Sequence, residues 1–224
     1  TMPLVNTPEA LENVDVNTDG AGMSEAEMQA EQQDEETFNE ISDEIRQAMQ
    51  SDPNLAELAQ NLVIDETPEG LRIQIIDQEG RPMFPSGSAR MFPRMKEMLE
   101  RLAEIIKKAP NEISIRGHTD SIPFNGRGGY SNWELSANRA NASRKVVEGS
   151  GYPKEKIADV IGKADTDHLF PDEPKSEKNR RISIVLIKEN ITKAKKGGQG
   201  KGKGDYTRQL LQNPQRSNSI IDFE

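Results

Sequence analysis

The sequence contains no cysteine. That removes disulfides, thiolate metal sites and cysteine nucleophiles at once. It fits an oxidising compartment without requiring one. Aromatic residues make up only 4% of the 224 residues, and hydrophobic residues 33%, low values for a chain that is compact throughout. One packed domain with polar ends accounts for them better than a continuous core. No run approaches the roughly 20 apolar residues of a membrane span, and no charged-then-apolar leader opens the chain. Two histidines, His118 and His168, stand fifty residues apart without the paired spacing of a zinc site. No metal or cofactor is expected.

The charge is unevenly distributed. Residues 1–44 hold 13 acidic side chains and no Lys or Arg, whereas the rest of the chain holds 29 basic against 25 acidic. From Lys188 to Gly204 there are six Lys, one Glu and five Gly. Self-repulsion and sparse apolar residues make residues 1–36 an acidic, disordered linker in this reading, and residues 191–224 a flexible Gly/Lys-rich basic tail. A basic run can serve nucleic acid, but this one lacks interleaved aromatics apart from Tyr206, and no nucleic-acid partner is expected.

Between these ends the periodicities are clear. Phe38, Ile41, Ile45 and Met49 recur at helical spacing, Asp52-Pro53 stops them, and Leu55, Leu58 and Leu62 follow. Residues 37–62 thus form an amphipathic helical segment, either a fixed part of the core or able to extend away from it. The domain proper is placed at 63–190. Strands are expected at Val63-Ile64 and Leu71–Ile75 around a Pro-Glu-Gly turn, and at Ile113–Gly117. Arg181–Lys188 should be a well-covered strand, with Ile182, Ile184 and Leu186 on one face and Val185 and Ile187 on the other. The stripe Phe92, Met95, Leu99, Leu102, Ile106 and the stretch 132–148 give two helices, and Ile157–Ile161 reads as either strand or short helix. The order is that of an α+β, two-layer sandwich with helices on one face of a sheet.

The densest polar cluster is Gly117-His118-Thr119-Asp120, with Asn132, Ser136 and Arg139 spaced along one helix face and Asn179-Arg180-Arg181 ahead of the last strand. Asp120 leaves a strand end, where such sheets commonly hold ligands. A carboxylate opposite a guanidinium suits a zwitterion: Arg grips the carboxylate in a two-point fork and Asp accepts from the ammonium. An ordinary structural Asp–Arg salt bridge is the competing reading of the same spacing. His118 beside Asp120 has no nucleophile or metal-bound water in view, so hydrolysis gains little from it, and the chain is read as a non-enzyme.

These residues carry a resemblance. GHTD at 117–120, NWELSANRANASR at 132–144 and NRRISI at 179–184 resemble the signature of the OmpA-like peptidoglycan-binding family, over about residues 65–190. The run YSNWELSANRANASR, GHTDSIPF and MFPSGSARM at 83–91 are most similar to its MotB-type flagellar stator branch. The resemblance implies an OmpA-like mixed sheet that binds the diaminopimelate-containing stem peptide of the wall without covalent chemistry. It implies Asp120 for the ligand's ammonium and Arg139 for its carboxylate, with Thr119, Asn132, Leu135 and Arg181 lining the groove. It further implies a periplasmic region of a single-pass inner-membrane protein whose membrane helix is absent from this sequence. The implied partners are a second copy of the chain, a MotA-type subunit reached through that helix, and the flagellar P ring. A wall-anchoring protein of the same domain without a motor is the alternative. The loop from Ser121 to Ser131 is longer than in many outer-membrane members, and it leaves Phe124 and Tyr130 unplaced.

Overall fold

Five strands, four α-helices and a further helical turn at 189–193 organise residues 24–193, the part described by the computed structural model. The acidic stretch 1–23 and the basic stretch beyond Lys193 lie outside the described residues.

Helix α1 runs from Glu25 to Ser51, so it starts twelve residues ahead of the apolar stripe at Thr37. Its origin is a local signal. Ser24 accepts from the Glu27 amide, while the Glu27 carboxylate accepts from the Ser24 amide at 2.8 Å, a reciprocal capping box. Glu25 and Glu27 also lie in the first turn, where the helix dipole favours negative charge. Residues 25–36, expected as linker on composition, are therefore helical. The helix ends at Asp52-Pro53 as the proline requires, and a short α2, Pro53–Ala56, follows. Phe38, Ile45, Met49, Leu55 and Leu58 are all buried in the main core. In this structure the apolar residues of the 37–62 segment pack into the same core as the sheet.

Strands β1 (Leu62–Thr67) and β2 (Gly70–Ile76) form a hairpin. Gly70 sits at φ +140°, and a Cβ there would lie 1.9 Å from the Leu186 carbonyl, so only glycine fits the turn. After α3 (Pro93–Ile106) come β3 (Glu112–His118), α4 (Asn132–Gly149), β4 (Ile157–Gly162) and β5 (Arg181–Ile187). The 157–161 stretch is thus a strand. The sheet order is β1-β2-β5-β3-β4; β3 and β4 are parallel and the other pairs antiparallel. All seven residues of the central β5 are buried. Gly117 lets α4 lie against the end of β3, since a Cβ would meet the Ser136 carbonyl at 2.2 Å. Among the described residues no helix is long and apolar enough to cross a membrane.

The core lies between the sheet and the helices, built from Ile73, Ile115 and Ile184 against Met98, Leu102 and Phe38. Strand alternation sends the intervening side chains to the other face, where they form a buried polar network. Arg181 Nε donates to Gln74 Oε1 at 2.8 Å, and the Ser183 hydroxyl lies 3.3 Å from the same oxygen and 3.4 Å from His118 Nε2. Burial, reinforced by Arg181 and Lys163, pushes the His118 pKa down to about 3 from the usual 6.5. His118 is therefore neutral when folded at any pH above that value, whereas the unfolded chain takes up a proton below about 6.5. The unfolded state binds more protons in this window, so acidification from pH 6.5 toward 3 lowers stability, by at most about 1.4 kcal/mol per pH unit. Asp77, whose burial raises its pKa, works in the opposite sense near the acid end. A comparison of urea midpoints for His118→Asn and the parent across pH 4–7 cancels that common contribution. The parent is expected to lose stability more steeply on acidification; parallel curves would refute the assignment.

Candidate functional site

Three strand ends converge at one end of the sheet. β3 delivers Thr119 and Asp120 from its C-terminal end. β5 runs antiparallel to it, with His118 paired to Arg181, so Arg180 stands just ahead of the strand and beside Asp120. β2 ends on the other flank of β5, and the Asp77 amide donates to the Arg180 carbonyl at 3.0 Å. Beside these strand ends, Ser131 caps α4 through a second capping box with Glu134. Asn132, Leu135 and Arg139 then follow at steps of three and four and share one helix face. The loop around Phe84–Gly87 closes the remaining side. The result is a cleft of about 480 Å³.

Thr119, Asp120, Asn132, Leu135 and Arg139 all line this cleft. Arg181 does not. Its side chain points to the opposite face of the sheet, bonded to Gln74, and burial pushes its pKa down to about 10. Residue 180 shares the parity of Ile182, Ile184 and Leu186, which face the helices. The two-residue period of the strand thus selects Arg180 for the cleft and excludes Arg181. Arg180, which the sequence shows only as part of the Asn179-Arg180-Arg181 cluster, and Asp77 are the other two charged residues that line the cleft. The parity of the last strand was signal enough for the first. Asp77 carries no motif and enters only because β2 ends there.

The charges are tightly held. Arg180 donates through Nε to Asp77 Oδ2 and through Nη1 to Asp120 Oδ2, both at 2.8 Å, and reaches Glu177 at 3.2 Å. Burial opposes its charge, but the hydrogen bonds to Asp77 and Asp120 outweigh this and raise its pKa. Asp120 also accepts from the Ile122 amide at 3.1 Å, and Asp77 from the Met83 amide at 2.7 Å. The salt bridge of Asp120 is thus with Arg180, not Arg139. Arg139 instead donates to the backbone carbonyls of Ser88 (2.9 Å) and Pro85 (3.3 Å), and its guanidinium carbon lies 5.0 Å from the Phe84 ring centre. Burial lowers its pKa, partly offset by Asp77. Those two bonds use two of its five donors.

Other residues support the walls. Asn132 donates to the Ile122 carbonyl at 3.0 Å, tying the long loop to α4. Phe124 lines the cleft and lies over Gly87, where a Cβ would approach its ring to 2.6 Å. Tyr130 meets Phe124 edge-on at 5.8 Å and accepts from Asn138 at 2.7 Å. Ser136, fully buried, accepts from the Ala164 amide, and Asn179 braces the chain at Phe170 and Glu173. His118 faces away from the cleft into the polar network. Thr119 Oγ1 is buried without a hydrogen-bond partner.

The site therefore presents two buried carboxylates and two guanidiniums, formally neutral together, against an apolar wall of Leu135, Phe84 and Phe92. Unused acceptor capacity on Asp120 and unused donors on Arg139 suit a small molecule carrying both an ammonium and a carboxylate on an aliphatic stem. Among the described residues no group of three or more His, Cys, Asp or Glu is placed to hold a metal ion.

Comparison with known proteins agrees with this architecture. Residues 83–181 match the OmpA family. The chain is 43% identical over 158 residues to the Motility protein B of Escherichia coli (strain K12), covering 70% of this chain and 51% of that protein. It thus spans about half the length of that relative. A putative MotB like protein from Desulfovibrio vulgaris superposes with a TM-score of 0.58 at 22% identity, over 72% of this chain and 95% of that one. The periplasmic domain of Helicobacter pylori MotB gives 0.52 at 24% identity, over 63% and 89%. At these identities the two structures speak to the fold alone.

Proposed function

We propose that the segment matching the OmpA family, residues 83–181, binds peptidoglycan and anchors a MotB-type stator subunit to the cell wall. The observation that carries the reading is the balanced cleft, with Asp120 and Arg139 both about 95% buried on facing elements. Asp120 accepts from the side-chain ammonium of a diaminopimelate residue in the stem peptide. Arg139 donates its remaining N–H groups to the adjoining carboxylate. Thr119 and Asn132 supply polar contacts, while Leu135 and Phe84 cover the aliphatic stem. Arg180 holds Asp77 and Asp120 in place from behind.

In this reading the domain lies in the periplasm and belongs to an inner-membrane protein that works as a dimer with a MotA-type subunit near the P ring. It resists the reaction to torque and supports motility. Each contact is reversible, and paired domains on a wall offering many copies of the ligand gain avidity that no single site needs to have. The 43% identity to a Motility protein B favours this over a wall anchor without a motor.

Co-sedimentation with purified sacculi tests the binding. The protein is expected in the pellet, released by soluble diaminopimelate-containing peptide, with no wall fragments appearing in the supernatant. Failure to pellet at high protein concentration would overturn the proposal, and release of fragments would make the protein an enzyme.

A further inference from the structure

Of the fifteen asparagines in the sequence, Asn125 alone is followed by glycine. That pairing has a chemistry of its own. A backbone amide nitrogen can attack the side-chain carbonyl of the asparagine before it, and glycine, with no Cβ, leaves that nitrogen open to do so. Asn125 is exposed and stands in the long loop between Ser121 and Ser131. The attack competes with the way this loop is folded. The turn at Arg127–Gly129 brings the chain back on itself, and the Gly126 amide donates to the Tyr130 carbonyl at 2.8 Å. An attacking nitrogen must first give up its proton, and here the resulting anion would face a carbonyl oxygen. Side chains keep the turn shut: Phe124 meets Tyr130 edge-on at 5.8 Å and covers Gly87, while the Tyr130 hydroxyl accepts from Asn138 at 2.7 Å.

We propose that Asn125 is a site of spontaneous covalent modification, and that closure of this turn sets its rate. When the turn opens, the deprotonated Gly126 nitrogen bonds to Asn125 Cγ, the Cγ–Nδ2 bond breaks, and the amide nitrogen leaves with a proton as ammonia. The five-membered imide that remains takes up one water and opens at either carbonyl, giving aspartate or isoaspartate. No oxidant or reductant enters the balance. Either product adds a negative charge next to Phe124, which lines the cleft, and isoaspartate also lengthens the main chain there by one methylene. The loop thus carries a reaction that alters one wall of the cleft as the protein ages, whichever ligand the cleft takes.

The test holds the full chain at mildly alkaline pH, folded in buffer and unfolded in urea. Peptide mapping by mass spectrometry follows the exchange of amide for acid, and chromatography separates isoaspartate from aspartate. In urea, Asn125 should convert ahead of every other asparagine, and Gly126→Ala should slow it severalfold. In the folded parent the same site should react about tenfold or more slowly than in urea, because the turn has to open first. Tyr130→Ala removes both the ring contact and the bond from Asn138. It should bring the folded rate toward the urea rate and leave the urea rate unchanged. Circular dichroism checks that this variant is folded, and Asn138→Ala is a milder version if it is not. Another asparagine reacting first in urea would overturn Asn125 as the site. Equal rates in the folded and unfolded parent, or parent-like rates in the folded variants, would overturn control by the turn.

Discussion

Asp120→Ala and Arg139→Ala are each expected to lower affinity for the wall ligand at least about tenfold, because each removes a charge-assisted hydrogen bond of roughly 1.5–3 kcal/mol from a buried site. The two losses have different structural backgrounds. Without Asp120, Arg180 keeps Asp77 at 2.8 Å and Glu177 at 3.2 Å, so these strand ends stay assembled and Asp120→Asn should be as inactive as the alanine variant. Arg139 also holds the Pro85 and Ser88 carbonyls, so its removal loosens the cleft wall as well. Arg139→Lys separates these effects. It keeps the charge but loses the planar fork, and it should recover little binding. Pull-down with sacculi, alongside circular dichroism to confirm folding, reads out all four. Parent-like binding by folded Asp120→Ala would remove that carboxylate from the site.

Phe38→Ala and Ile45→Ala should each cost about 3 kcal/mol of global stability, within the 2–5 kcal/mol typical of fully buried large-to-small changes. Phe38 is 1% and Ile45 0% exposed, and both pack in the cluster that contains Ile73 and Leu102. If α1 is one folding unit with the sheet, urea unfolding remains a single transition with a lower midpoint. Hydrogen exchange then quickens in β5 and in α1 alike, while binding to the wall ligand is unchanged. A detachable α1 gives another pattern, with faster exchange confined to α1 and β5 still protected as in the parent. That second pattern would return the 37–62 segment to the role of an extending tether.

Much of this architecture was legible in the sequence because the strongest elements carry their own periodicity. The α3 stripe and the two-sided apolar run of β5 specify layer and burial without help. In the 25–36 turns composition speaks for linker, while the Ser24–Glu27 capping box, a signal of only two side chains, speaks for helix. Site geometry was legible up to pairing. Asp120, Asn132, Leu135 and Arg139 do share a cleft, but spacing along the chain could not say that Asp120 takes Arg180 as its partner, since that contact joins residues sixty apart. The motif presents Arg180 and Arg181 as one block and does not tell them apart. The strand alternation that already sorted Ile182 from Val185 sorts the arginines too.

The most direct measurement is a calorimetric titration with two soluble stem tetrapeptides that differ only at the third residue, diaminopimelate in one and lysine in the other. Lysine keeps the ammonium for Asp120 and lacks the second carboxylate for Arg139. The parent chain is expected to bind the diaminopimelate peptide at least about tenfold more tightly, and Arg139→Ala to bind the two alike. Equal affinities in the parent chain, or a preference that persists in Arg139→Ala, would contradict this expectation.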